Sequence, residues 1–221
     1  PTEARWSYSF EMYQDGGWDL SEAVLKSLSS ALSTADLLNG IFFKPDGTVF
    51  YAVDTNDRYV NQYNLSTPWD INTNTFSNRF LLTVNVIGAS GLFFKPDGTK
   101  MYITGYLYDD VDEYDLGTAW DVTTASFVQS FSVASQSGEP IGLFFKPDGT
   151  KMYIIDNTPD VVYEYNLSTA WNVSTASYVQ SFSVASQDGN AVQLSFKSDG
   201  TKMYFLGKTN NAVYEYNLST A

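Results

Sequence analysis

Four tandem copies of one β-rich unit predict an all-β fold, a β-propeller of four blades with four antiparallel strands in each. The period is 51 residues and is unbroken, as Trp18, Trp69, Trp120 and Trp171 show. A tight-turn sequence recurs with the same period, as Pro-Asp-Gly in three units and Ser-Asp-Gly in the last. Short runs with continuous or alternating apolar patterns separate these markers, and such runs are typical of strands.

Each element of the unit follows from its own pattern, here in the unit that begins at Gly91. An apolar run bounded by Gly and Pro predicts an innermost strand at 92–94, buried on both faces. Pro96-Asp97-Gly98 predicts a hairpin turn, because Pro fixes φ, Asp accepts bonds from nearby backbone amides and Gly tolerates a positive φ. The other three strands are predicted at 100–103, 111–114 and 126–133.

The stretch 91–103, Gly-Leu-Phe-Phe-Lys-Pro-Asp-Gly-Thr-Lys-Met-Tyr-Ile, resembles the first hairpin of YVTN-type surface propellers of bacteria, archaea and phages. Versions of this hairpin occur in all four units. The resemblance implies blade architecture. It implies no single activity, because such propellers include binding, structural and enzymatic members.

The repeat arithmetic predicts the domain organisation. Residues 18–221 hold four whole units, preceded by an arm or extra strand at 1–17. In a closed ring, the strands within 194–218 would take their fourth strand from 24–32. A fragment of a larger ring and an unclosed array are alternatives, and the apolar residues within 20–38 also fit a helical stripe.

The arm at 1–17 has an alternating pattern, which is typical of a strand. It either adds an edge strand or packs on the outside of the molecule, or it pairs with a neighbouring copy by strand addition, which would give a homo-oligomer or a filament.

Composition excludes several classes of function. With 12 basic and 25 acidic residues, the net charge of −13 disfavours nucleic acid and anionic membrane surfaces as partners, and no apolar run is long enough for insertion into a membrane as a helix. The absence of cysteine and histidine removes disulfides, thiol nucleophiles, histidine bases and the usual zinc ligands. We therefore expect no enzyme activity and no cofactor. Calcium stays open, through Asp54 with Asp57 and through Asp109, Asp110 and Asp112.

The loops that differ between units predict where a ligand binds. Turns between the second and third strands and links between blades share one face, and loops on a rigid scaffold commonly carry binding sites. Tyrosines offer flat faces to sugar rings, and carboxylates accept bonds from sugar hydroxyls. Sequence drift in unconstrained loops is the alternative. The predicted ligand-binding residues are Asp57, Tyr59, Tyr106, Tyr108, Asp109, Asp110, Asp160 and Glu139.

The repeated tryptophans allow two interpretations. As packing anchors, they would each be followed by an Asp or Asn that forms an Asx-turn. As exposed platforms, four weak sugar sites would gain from avidity. The first interpretation is favoured, because a scaffold needs the same anchor in every blade.

The sequence as a whole favours a non-enzymatic binding or adhesion module, extracellular or on a cell or virion surface, with a glycan or protein partner. A structural subunit that assembles by strand addition into oligomers or filaments is the alternative. A carboxylate-based hydrolase or lyase ranks third, since carboxylates are the only acid and base groups that remain.

Overall fold

The computed structural model describes residues 37–82 and 88–219, and these form four antiparallel sheets arranged as the blades of a β-propeller. The first sheet contains β1 (Leu38–Phe43), β2 (Val49–Asp54), β3 (Tyr59–Leu65) and β4 (Asn74–Leu81). The second contains β5 (Ala89–Phe94), β6 (Lys100–Gly105), β7 (Asp110–Leu116) and β8 (Ala125–Ser132). The third contains β9 (Pro140–Phe145), β10 (Lys151–Asp156), β11 (Val161–Leu167) and β12 (Ala176–Ser183). The fourth contains β13 (Ala191–Phe196), β14 (Lys202–Gly207) and β15 (Ala212–Asn217).

This architecture confirms the predicted all-β propeller of four blades. Strands follow one another in chain order within each sheet, so every connection is a local turn. The predicted fourth strand of the last blade at 24–32, its helical alternative and the arm at 1–17 all lie outside the described residues.

The first hairpin of each unit forms as its sequence predicts. The Gly98 amide donates to the Lys95 carbonyl at 2.8 Å, and Gly98 has a φ of +73°. The Asp97 carboxylate accepts bonds from the Thr99 amide at 3.0 Å and the Thr99 hydroxyl at 2.6 Å. The turn therefore satisfies its own polar groups and fixes the register of the two strands it joins.

Each described tryptophan in the repeat is a packing anchor. The Trp171 amide donates to the Gly149 carbonyl at 3.0 Å, and its ring lies against Gly149. The ring also stacks on Phe145 of its own sheet and Phe93 of the preceding sheet, with centroid distances of 5.5 and 6.3 Å. A short 3-10 turn follows, at Val173–Thr175, with the Asn172 side chain as its N-cap. Trp171 thus ties one blade to the next.

Consecutive sheets enclose three apolar cores. A tyrosine and a phenylalanine with ring centroids 4.3–4.4 Å apart lie in each core: Tyr51 with Phe94, Tyr102 with Phe145, and Tyr153 with Phe196. The innermost strands β1, β5, β9 and β13 pack side by side in that order. Among the described strands, no comparable packing joins the fourth sheet to the first.

Two of the four innermost strands, β1 and β5, differ in burial. All of β5 is buried except the partly exposed Phe93, as predicted for an innermost strand. In β1, Ile41 is 45% exposed. The reason is that the second sheet has a neighbour on both sides, whereas within the described part of the chain the first sheet has only one.

Candidate functional site

The turns between second and third strands share one backbone shape although their sequences differ. Arg58, Asp109, Asp160 and Asn211, spaced by 51 residues, all have a positive φ, of 59°, 51°, 62° and 51°. A positive φ is uncommon for residues other than glycine. The variable sequences are therefore carried on a constant turn, and only the side chains change from blade to blade.

The predicted ligand-binding residues of the first two sheets have different surroundings. In the first sheet, the Tyr59 ring lies 4.1 Å from the guanidinium carbon of Arg79, and Asp57 is exposed. In the second sheet, the Tyr106 ring covers Gly88, and Tyr108 is 50% exposed.

Asp160 has a structural role. Its Oδ1 accepts a hydrogen bond from the Ala191 amide at 2.8 Å, and the residue is 7% exposed. This bond ties the turn of the third sheet to the first strand of the fourth.

Asp109 and Glu139 come together across the junction of the second and third sheets. Burial raises the pKa of Asp109, and the negative charges of Asp156 and Glu139 raise it further. Asp156 itself is fully buried, and its carboxylate accepts bonds from the Ser137 hydroxyl and from the amides of Gly138, Glu139 and Thr158. Asp156 therefore holds the loop that carries Glu139.

Two buried carboxylates with raised pKa values, Asp110 and Asp112, lie at the start of β7. As residues i and i+2 of a strand, they project from the same face of the sheet. Asp112 is fully buried and Asp110 is 9% exposed. Burial, and then the charges of Asp112 and Asp109, raise the pKa of Asp110 to about 7. Burial also raises the pKa of Asp112, against hydrogen bonds from Ser130 and Tyr114 that lower it.

One oxygen of each carboxylate has no hydrogen-bond partner among the described residues. These atoms are Asp110 Oδ1 and Asp112 Oδ2, while Asp112 Oδ1 accepts a bond from the Ser130 hydroxyl. A buried carboxylate without a full set of partners carries a free-energy penalty, and such penalties are concentrated at functional sites.

Sequence reasoning named Asp110 as a ligand-binding residue but considered Asp112 only as a calcium ligand. A comparison of the repeats contains the signal that was missed. Positions 110 and 112 correspond to Tyr59 and Asn61, Val161 and Tyr163, and Ala212 and Tyr214. Only the second unit has two acidic residues there, and a strand interior disfavours such a pair unless it has a function.

The described ranges contain no group of three or more acidic side chains arranged to hold a metal ion. Nor do they contain a helix long and apolar enough to cross a membrane.

Comparison with solved structures supports the fold. A candidate 6-phosphogluconolactonase of Bacteroides uniformis superposes with a TM-score of 0.57 at 16% identity, covering 81% of this chain and 50% of its own. The periplasmic gluconolactonase of Pseudomonas aeruginosa gives 0.54 at 16%, covering 81% and 49%. The β-propeller domain of Cps50 (Swd1) from Myceliophteria thermophila gives 0.52 at 8%, covering 83% and 54%.

The chain thus has the β-propeller fold and spans about half the length of these solved structures. No protein-family model and no curated protein sequence matches it. At such low identity the likeness shows the fold alone.

The structural neighbours nevertheless correct two expectations. The expected non-enzymatic binding or adhesion module, and the expected absence of enzyme activity, are wrong in the light of neighbours that include gluconolactonases. The expectation of no activity rested on the lack of histidine and cysteine, but burial and neighbouring charges raise the pKa of one carboxyl group, that of Asp110, to about 7.

Proposed function

We propose that this chain is part of a hydrolase that opens the lactone ring of a sugar acid, with Asp110 as the group that moves the proton. The observation that carries the proposal is the buried Asp110–Asp112 pair, in which the pKa of Asp110 is raised to about 7. A carboxyl group with a pKa near the working pH can both accept and return a proton, which is the requirement for general acid–base catalysis.

The chemistry requires one such group. Asp110, as the carboxylate, takes a proton from water while the water oxygen bonds to the lactone carbonyl carbon. The ring C–O bond then breaks, and Asp110 returns the proton to the leaving oxygen, which gives the open hydroxy acid. Asp112 is fully buried and accepts a hydrogen bond from Ser130, and its charge is one of the causes that raise the pKa of Asp110.

The substrate class is inferred from the fold and from the surrounding loops. The structural neighbours include gluconolactonases of two bacteria, and the turn that ends at Asp109 also carries two tyrosines, Tyr106 and Tyr108. Aromatic rings beside a polar group suit a polyhydroxylated ring, whose C–H faces stack on them. The Pro-Asp-Gly-Thr hairpins support the further proposal of kinship with YVTN-type surface propellers.

The test is hydrolysis of δ-gluconolactone and related sugar lactones by the full chain, followed in a pH-stat. We expect Asp110→Asn to lower kcat by about 100-fold or more, because an amide cannot carry the proton. Asp115→Asn is the matched control, since Asp115 lies on the same strand with its side chain 55% exposed. It should leave kcat unchanged. Absence of lactone hydrolysis by the wild-type chain, or equal rates for wild type and Asp110→Asn, would reject the proposal.

A stability measurement separates loss of chemistry from loss of fold. The folded-state pKa of Asp110 lies above its usual value, so the group favours the folded state when protonated and this contribution is lost as pH rises from about 4 to about 7. Asp110→Asn should therefore raise Tm at pH 8 and have little effect on it at pH 4. A variant with low activity and raised Tm has lost the proton carrier, whereas one with low Tm at pH 8 contradicts the assigned role.

A further inference from the structure

A groove of about 500 Å³ lies between the third and fourth sheets, on the edge that carries the Pro-Asp-Gly turns. It is distant in sequence from the Asp110–Asp112 pair and is independent of the proposed activity. Its lining includes the aromatic residues Phe144, Tyr153 and Phe196, together with Gly200.

These four residues stand 51 positions after the four residues that contact Trp171. Trp171 contacts Phe93, Tyr102, Phe145 and Gly149, and the Tyr102 hydroxyl donates to the Trp171 carbonyl at 2.7 Å. Adding 51 to each contact residue gives Phe144, Tyr153, Phe196 and Gly200. Gly200 also has the positive φ of its counterparts, at +74°. The groove therefore has the chemistry and backbone of a tryptophan site.

The polar lining also matches the segment that follows each tryptophan. Glu113 accepts a bond from the Val173 amide at 3.1 Å, and the Gln129 side chain donates to Asn172 Oδ1 at 2.8 Å. Their counterparts Glu164 and Gln180 line the groove, and the Gln180 amide donates to Glu164 at 2.8 Å just as Gln129 does to Glu113. A segment with a side-chain acceptor for Gln180, followed by a backbone amide that donates to Glu164, would complete the same set of hydrogen bonds.

One segment of this chain has that pattern. Trp18, Asp19 and Leu20 stand 153 residues before Trp171, Asn172 and Val173, which is three periods of 51. Residues 23–30 correspond in the same way to β12, which pairs with β11 as the fourth strand of its sheet. The described part of the fourth sheet runs only from β13 to β15.

We propose that the groove binds residues 18–30 of the same chain. Trp18 packs on Gly200 between Phe144 and Phe196, Asp19 accepts a bond from Gln180, and residues 23–30 pair with β15. The N-terminal segment thereby joins the last blade, and the two ends of the sequence stabilise one sheet.

The test uses engineered cysteines, which are unambiguous because the chain has none of its own. Asn166 faces Ser177 in the third sheet, and their counterparts are Asn217 and Val24. The double variant Val24→Cys with Asn217→Cys should form a disulfide within one molecule under mild oxidation, seen as a monomer on a non-reducing gel with no free thiol. The control, Leu28→Cys with Asn217→Cys, separates the sulfurs by about four residues of strand, roughly 13 Å, and should not cross-link.

The outcomes are distinct. A disulfide-linked dimer would overturn the proposal by showing that a second copy supplies the segment. Equal cross-linking of test and control pairs, or none in either, would overturn it as well.

A second measurement does not depend on disulfide geometry. Trp18→Ala should lower Tm by roughly 10 °C, about as much as Trp171→Ala, because each removes a buried indole. Trp6→Ala, outside the repeat, is the control and should have a smaller effect. An unchanged Tm for Trp18→Ala would contradict the proposal.

Discussion

Two residues with a positive φ, the glycine of the hairpin turn and the repeated tryptophan, pack against each other in each of the first three blades. Gly149 has a φ of 73° and Trp171 a φ of 65°. For tryptophan this backbone is unfavourable, by an amount on the order of 1–3 kcal/mol. Burial of the indole against Gly149, Phe145 and Phe93 offsets that cost. The turn glycine and the tryptophan therefore depend on each other.

Gly149→Ala tests this dependence. A Cβ at residue 149 would lie 2.3 Å from ring atoms of Trp171, so the indole must move and the alanine must keep a strained φ. We expect a drop in Tm of roughly 5–10 °C, measured by circular dichroism. Gly138→Ala is the control, because nothing lies within 4 Å of its Cβ position. Equal Tm values for the two variants would show that the ring does not depend on the glycine.

At the scale of the secondary-structure elements, Glu113 connects β7 to the next blade. This side chain is 2% exposed, and its Oε1 lies 2.6 Å from Lys100 Nζ. Its Oε2 accepts bonds from the Val173 amide and the Gln129 side chain. In the first sheet the same position is Gln62, whose Oε1 accepts from the Val122 amide at 3.3 Å. Both blades thus keep a side-chain oxygen that accepts a hydrogen bond from the next blade, whereas only one of them has a negative charge there.

Glu113→Ala should destabilise the protein by about 3 kcal/mol in urea unfolding, because it leaves the buried Val173 amide without an acceptor. Glu113→Gln should cost clearly less, since glutamine already serves this purpose in the first sheet. If the glutamine variant is as unstable as the alanine variant, the charge on Glu113 and not its acceptor oxygen is what the blade junction needs.

The sequence predicted these elements better than it predicted the site, for a physical reason. A hairpin such as 95–100 is determined by neighbours in sequence: Pro sets φ, Asp97 bonds to Thr99 and Gly98 accepts a positive φ. The raised pKa of Asp110 depends instead on burial by the fold and on the charges of Asp112 and Asp109. Sequence spacing predicts contacts between neighbouring residues, but it does not predict how deeply the fold buries a carboxylate.

At the scale of the whole molecule, the packing contacts of the described residues are shared unevenly among the blades. The second and third sheets pack on a neighbour at both faces, whereas in the described ranges the first and fourth pack on one. In β6, Met101, Tyr102 and Ile103 are fully buried, while β15 alternates partly exposed and exposed residues. In a repeat array, each unit gains stability mainly from contacts with its neighbours.

Native-state hydrogen exchange should report this gradient. In the Trp18→Ala variant, whose N-terminal segment should no longer complete the fourth sheet, we expect the amides of β6 and β10 to exchange at least about 10-fold more slowly than those of β15, since sub-global opening starts where packing is weakest. Mass spectrometry of peptides from the four sheets provides the measurement, and β2 serves as an internal reference for an outer blade. Uniform exchange across the four sheets would mean that they unfold only as one cooperative unit.

The shared turn at Arg58, Asp109, Asp160 and Asn211 has a consequence for how such a molecule can change during evolution. Each of these residues has a φ between 51° and 62°, so four different side chains are carried on similar backbone at this turn. Duplication of a blade supplies the scaffold, and point changes at equivalent turn positions then diversify it. A new activity can arise in one blade while the other three continue to preserve the architecture.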